Sequence, residues 1–323
     1  MLSSEEKNNL SQWIGQKPFY EVYYLKFNNL KDETALWLRY TLLVPKKREP
    51  EASLWGIFFD AKNPANNFFI KETVSAKQFK IERDFFYFSI GESSLFQDGA
   101  VGQMKQSSHT LQWDLHFSHE TSLNHYPSPL YLLPYPKTKF LAPHLSMRVS
   151  GSVLIDGKRM LLDNVPGHQA HLWGTGQATR WAWANCNTFV EDPTAVFEGL
   201  TTQVKIGPRL SPPLPLFFFQ IGGKHYAFNH SYHWKRNISH YDRQSWHLEA
   251  PAGNRYFVVN LWARPEDQME VPYEDPTGSR RLCLNTKLAD LQLDILEKKN
   301  GCWRMAKRLT AKRSAAFEVV ETV

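Results

Sequence analysis

Between Arg180 and Thr188 the chain reads RWAWANCNT, with Trp181, Trp183, Asn185 and Asn187 at every second position. Arg180, Ala182, Ala184, Cys186 and Thr188 stand between them. A period of two marks a β-strand, whose successive side chains point to opposite faces. Such a strand carries two indoles and two amides in one row, backed by mostly small residues. The row admits two readings. It lines a cavity for a large, mostly apolar guest with one polar end, or it is a core strand whose indole N–H groups bond to the Asn side chains. Upstream, His171 and Trp173 share a face if the approach to Gly174 is extended. The GTG turn at 174–176 then returns the chain into the Trp strand. His171, Trp173, Trp181, Trp183, Asn185 and Asn187 are therefore expected on one surface, built by two adjoining strands.

The rest of the chain repeats the strand signal. YEVYYLKF, ALWLRYTLLV, SLWGIFF, DFFYFSI, TLQWDLHF, LSMRVSGSVLI, RYFVVNLWA and LADLQLDI are rich in β-branched and aromatic residues. Asp156-Gly157 between two apolar runs predicts a tight hairpin. Pro- and Asn-rich breaks such as NPANN, HYPSPLYLLPYPKT, GPRLSPPLPL and RPEDQ separate the strands. Many strands at short spacing point to antiparallel barrels or sandwiches and exclude a parallel sheet covered by helices. One helix is expected, at the N-terminus. Ser3 and Glu6 have capping-box spacing, and Leu10, Trp13 and Ile14 fall on one helical face.

A chain of 323 residues can bury a large core and form two domains. It has no apolar run long enough to cross a bilayer, and acids stand where a signal peptide needs a basic start, so a cytoplasmic protein is expected. Cys186, Cys283 and Cys302 lack metal-ligand spacing and cannot all pair, which suits a reducing compartment. His168 and His171 have no acid or thiol cluster to complete a coordination sphere, so no metal is expected. A Gly-rich phosphate loop and a nucleophile elbow are both missing from the sequence, and no cofactor is expected. Lys298, Lys299, Arg304, Lys307, Arg308, Lys312 and Arg313 face only Glu297 across 297–313, a local excess that equals the net charge of +6. That stretch reads as a peripheral contact with anionic lipid or as a solvated strand edge. No nucleic-acid module surrounds it.

The HLWG element followed by WAWANCNTF resembles the AttH-like and carotenoid-hydratase (hydroxyneurosporene synthase) group, and the pattern is similar to that of the tocopherol cyclases. FYEVYYLKF resembles the strand that opens these proteins, and PYEDPTGSRRLCLNTKLADLQL resembles their last strands. The resemblance implies two lipocalin-like (calycin) antiparallel β-barrel domains in tandem, at 1–174 and 175–323, with the junction inside the aromatic motif. It implies enzymes that hydrate, cyclise or rearrange polyene or isoprenoid substrates without a cofactor.

Protonating an unactivated alkene needs a strong acid beside an apolar cavity and a surface that stabilises a carbocation without trapping it. Trp faces serve the second need. An acid in a dry pocket keeps its proton near neutral pH. Glu198, in AVFEGLTTQ on the strand expected to follow the Trp strand, is the first candidate. Phe197, Glu198 and Gly199 stand where hydratase relatives place a Tyr and an Asp, a departure from the hydration pattern. Glu21, with Tyr23 on the same face of the opening strand, is the second. Alternatively, Glu21 is a charge on the outer face or a structural partner for an Arg. His171 is a candidate proton relay or a brace for the turn at Gly174. Tyr23, Trp173, Trp181, Trp183, Asn185, Asn187 and His144 are candidate substrate contacts. The competing function is a non-catalytic carrier of the same hydrophobic small molecules. An acid beside the Trp row distinguishes the two, because an enzyme needs it and a carrier does not.

Overall fold

A computed structural model of the chain describes residue 7 and residues 9–321. The chain folds as two compact units. The first comprises Met1–Phe58, Asn66–Gln177 and Glu274–Arg280; the second comprises Phe59–Ala65, Ala178–Tyr273 and Arg281–Val323.

Each unit is built on one antiparallel sheet, nearly closed as a barrel in the first unit and half-closed in the second, in the lipocalin-like manner. In the first sheet, the strands Phe19–Asn29, Thr34–Val44, Glu51–Asp60 and Phe68–Ser75 follow one another outward. The last strand of the unit, Lys158–Gly174, returns to pair with the opening strand Phe19–Asn29. The second sheet repeats this plan. Arg180–Cys186, Val196–Gln203, Leu214–Ile221 and Lys224–Phe228 run outward, and the final strand Cys302–Val320 pairs with Arg180–Cys186. Asp156 and Gly157, with φ of 48° and 82°, form the expected two-residue hairpin between Thr138–Ile155 and Lys158–Gly174.

Alternation sorts the side chains into faces. In the first unit Tyr23, Leu25 and Phe27 point into the barrel core with Leu36, Leu38 and Tyr40. In the second unit the core takes the small-residue row, Ala182, Ala184 and Cys186, packed with Phe197, Phe217 and Phe257. Trp181, Trp183 and Asn185 therefore occupy the opposite face of that sheet. The Trp strand and the strand bearing His171 belong to different sheets and are not neighbours, contrary to the adjoining pair expected from the GTG turn. A Cβ on Gly174 would stand 1.9 Å from the Lys137 carbonyl oxygen, so only glycine fits where Lys158–Gly174 ends.

The capping residues Ser3 and Glu6 lie outside the described residues. Lys7 and Asn9 are helical, but Leu10, Trp13 and Ile14 are not. Side chains capture the backbone there. Glu21 accepts the Gln12 N–H at 2.7 Å, and Gln16 Oε1 accepts the Ile14 N–H at 2.7 Å. Such bonds compete with helical ones. Within the basic stretch, residues 302–311 pair with Arg280–Lys299 on one side, while Arg180–Cys186 pairs with Cys302–Val320 only over Ala316–Val320, so this part of the strand has a strand neighbour on one side alone. There Lys307 pairs with Asp192, Arg308 with Asp294 and Arg313 with Asp267. Among the described residues no helix is long and apolar enough to cross a membrane.

Candidate functional site

The candidate residues fall into two buried polar groups, one in each unit. In the first, the register sets Glu21 opposite Trp173 and Tyr23 opposite His171, all on the core face. Glu21 has no exposed surface. Its Oε1 lies 2.9 Å from His171 Nε2 and accepts from the Gln12 N–H, and its Oε2 accepts from Ser11 Oγ at 2.5 Å. Tyr23 donates to Glu21 at 3.4 Å and to the Asn9 carbonyl at 3.0 Å. The Tyr23 and His171 rings stack at 4.1 Å, and Trp173 adds a third ring 4.6 Å from His171. Burial, reinforced by the neighbouring Glu21, raises the Tyr23 phenol well above its ordinary value. This geometry ties the segment before the opening strand to the barrel interior.

His144 lies opposite Gln169, with Nδ1 3.0 Å from His119 Nδ1. Burial, and secondarily His119, push its pKa down to about 4, against a smaller upward pull from the Gln97 carbonyl. A folded value below the unfolded one means that protonation opposes folding. The contribution is intact above the ordinary histidine pKa near 6.5 and is lost as pH falls through about 4. Stability is expected to drop by up to about 3 kcal/mol over that window. Denaturant melts of wild type and His144→Gln between those pH values test this, and an equal slope in the variant would remove His144 as the cause.

The second unit holds the denser group. Asn185 is opposite Glu198, and Trp183 lies between Leu200 on one neighbour and Glu318 on the other. Glu318 is in turn opposite Asn285. Trp183 Nε1 donates to Glu198 Oε1 at 2.7 Å, and neither Asn185 nor Glu198 has exposed surface. Lys287 Nζ donates to Asn285 Oδ1 at 2.6 Å and to Glu318 Oε1 at 3.0 Å, and stands 5.5 Å over the Trp183 ring. Tyr273 donates to Glu318 Oε2 at 3.3 Å and stacks on Trp181 at 6.2 Å. Asn187 is buried just past the strand end. Burial lowers the Lys287 pKa, and Glu318 opposes that shift.

One sheet face thus brings together two carboxyls, an ammonium, two amides and two indoles with little access to water. Such a face can hold a proton donor and an electrostatic partner beside aromatic surface. Sequence reasoning missed Asn285, Lys287, Tyr273 and Glu318. The first two were legible as a polar row, Cys283, Asn285 and Lys287, alternating with Leu284, Thr286 and Leu288. Among the described residues, no three or more His, Cys, Asp or Glu side chains gather as a metal site.

An uncharacterised protein of Mycobacterium tuberculosis (strain ATCC 25618 / H37Rv) is 24% identical over 88% of this chain and 84% of its own length. The fold is shared with kievitone hydratase from Nectria haematococca, at a TM-score of 0.55 and 9% identity over 94% of this chain and 89% of that one. It is also shared with CghA in complex with Sch210972, at a TM-score of 0.59 and 9% identity over 94% of this chain and 88% of that one. The family model described as tocopherol cyclase-like matches residues 140–320, which include the Trp strand, Glu198, Lys287 and Glu318. The chain belongs to the tocopherol cyclase-like family.

Proposed function

We propose that this chain is a hydratase-, cyclase- or isomerase-type enzyme acting, without a cofactor, on a lipophilic isoprenoid- or polyene-like small molecule. Its reaction centre is the buried polar face of the second unit. One observation carries the reading: the fully buried Glu198 carboxyl is held by the Trp183 indole on the face that also carries the Lys287–Glu318 pair. Glu198 is the proton donor to a carbon–carbon double bond, and Trp183 fixes its orientation. The Trp183 ring already carries the Lys287 ammonium, so Trp181 and its stacked partner Tyr273 supply the aromatic face for developing positive charge. In the first unit, Glu21 is engaged by Ser11, Gln12 and His171 and acts as a clamp on the barrel end rather than as the acid. Kinship with a hydratase and with a protein solved in complex with a small molecule supports the class of reaction and of guest.

The test is untargeted mass spectrometry of small molecules that copurify with the chain, followed by incubation of each with fresh protein. An apolar guest converted to an isomer or to its water adduct supports the enzyme. A guest that is bound and always released unchanged would establish a carrier instead.

A further inference from the structure

One end of the first sheet carries apolar side chains that the barrel does not bury. Gly174 pairs with both Tyr20 and Thr138, so the segment before Phe19–Asn29 and the loop before Thr138–Ile155 leave the sheet at the same end. The strand His109–Asn124 also finishes there, with Asn124 beside Leu141. From it the antiparallel pairings continue through His116 with Gly99, Gly99 with Phe96, Phe96 with Tyr87 and Phe88 with Ile81. The turn at 82–86, between Phe79–Ile81 and Tyr87–Ile90, therefore opens at this end too.

Rings in contact anchor all three connections. Phe86 lies 5.1 Å from Tyr23, Tyr23 4.1 Å from His171, His171 4.6 Å from Trp173, and Trp173 5.9 Å from Tyr131. Trp13 packs 6.3 Å from Phe79. Next to the anchors Phe86, Trp13 and Tyr131 stand exposed apolar residues. Ile14 is 76% exposed and Leu132 91%, and Phe85, Leu133 and Tyr135 are each more than half exposed. They do not fold inward because the core beneath is already filled by Tyr23, Phe86 and Phe88. The longest connection is also pinned in place. Lys139 Nζ donates to the Leu130 and Leu133 carbonyls at 2.6 and 2.7 Å, and the Tyr131 hydroxyl donates to the Phe140 carbonyl at 2.7 Å.

The exposed Lys17 and Lys137 flank these tips, close to the point where the Tyr20 and Thr138 hydroxyls lie 2.7 Å apart. Residues 7–20 and 121–137 contain no Asp or Glu; among the three connections, acids occur only in the turn, as Glu82 and Asp84. A contiguous exposed apolar surface marks an interaction site. Side chains that project this far offer a peptide no groove. Apolar tips backed by lysines match a bilayer, where the tips enter the acyl boundary while Lys and Tyr stay among the headgroups.

We propose that this end of the first unit docks on a lipid bilayer, inserting Ile14, Phe85, Leu132 and Leu133 and setting Lys17 and Lys137 against anionic headgroups. The proposal does not depend on the reaction assigned above, since none of these residues belongs to the buried polar group of the second unit. A lipophilic guest dissolved in a bilayer would be within reach of a protein held there.

Flotation of the purified full chain with vesicles tests the proposal, using phosphatidylcholine alone and phosphatidylcholine mixed with phosphatidylglycerol. The protein is expected to float with both, and about 25-fold more strongly with the anionic vesicles, at about fivefold per lysine. Lys17→Ala with Lys137→Ala should remove that difference and keep the binding to phosphatidylcholine. Leu132→Ser with Leu133→Ser should weaken partitioning into either by about 100-fold, at roughly tenfold per leucine. Phe85→Glu should weaken it as well. These side chains are exposed, so an unchanged thermal melt shows that the variants fold. Leu161→Glu, at an exposed apolar position near the hairpin at the opposite end of the same sheet, should float like wild type. The proposal is overturned if wild type ignores the anionic vesicles, or if the Leu132/Leu133 variant floats as well as wild type. It is also overturned if light scattering finds wild type dimeric without lipid and that variant monomeric, which would make the patch an interface between copies.

Discussion

Glu198→Gln is expected to lower turnover by about 10²–10⁴-fold while leaving binding of the guest nearly intact. The amide keeps the shape of the side chain and an oxygen to accept the Trp183 N–H, now at 2.7 Å from the carboxyl. What it loses is a proton that can be given to carbon. Only the transition state uses that proton, so the loss falls on kcat and spares affinity. Trp183→Phe gives an informative contrast. It keeps an aromatic ring beneath Lys287 but removes the donor that orients Glu198, so kcat should fall by a smaller factor and the melt should shift slightly. A carrier would show the reverse pattern, with the Trp change weakening binding and the Glu change inert. Full turnover in Glu198→Gln, measured on the guest identified by mass spectrometry, would remove Glu198 as the acid.

Glu318→Ala should destabilise the second unit by about 3–5 kcal/mol, because it removes the carboxylate hydrogen-bonded to a fully buried ammonium. Lys287 has no exposed surface, and Glu318 is the anion 3.0 Å from its nitrogen. Burial already depresses the Lys287 pKa, and Glu318 is the first influence that holds it up. Without that anion the folded pKa drops further below the unfolded one. The unfolded chain then binds the extra proton, so the deficit of the variant should shrink as pH rises toward the ordinary lysine value. Lys287→Met combined with Glu318→Leu should recover most of the loss, since an apolar pair replaces a charged one without leaving a lone ion. Denaturant unfolding of the single and double variants decides the matter. A double variant no more stable than Glu318→Ala would mean that the pair is not coupled as the geometry indicates.

The all-β class was legible because alternation is a local property. Trp181, Trp183 and Asn185 share a face, Cys186 sits opposite them in the core, and Glu198 lies directly across from Asn185, all in line with the spacing. The Asp156-Gly157 hairpin was equally local. The pairing of distant strands was not legible, because register between remote segments is set by packing and leaves no mark in either segment alone. Glu318 reaches Trp183 only because the last strand of the unit returns beside its first. The same limit explains the placement of His171. Its two-residue spacing from Trp173 was sound, but closeness in sequence to the Trp strand did not make the two strands neighbours. The shared plan of the two sheets was hidden as well, since it is a repeat of connectivity and not of sequence.

That plan sets a schedule for synthesis. The strand Arg180–Cys186 leaves the ribosome early among the second-unit strands, yet one of its two partners, Cys302–Val320, is made last. Until then the backbone groups on one edge of that strand stay unpaired, and contacts this distant in sequence form slowly. The nascent second unit must therefore wait, partly open and prone to wrong partners, until translation is nearly complete. A truncation that removes the final strand would take out an interior rung of the sheet rather than trim its edge.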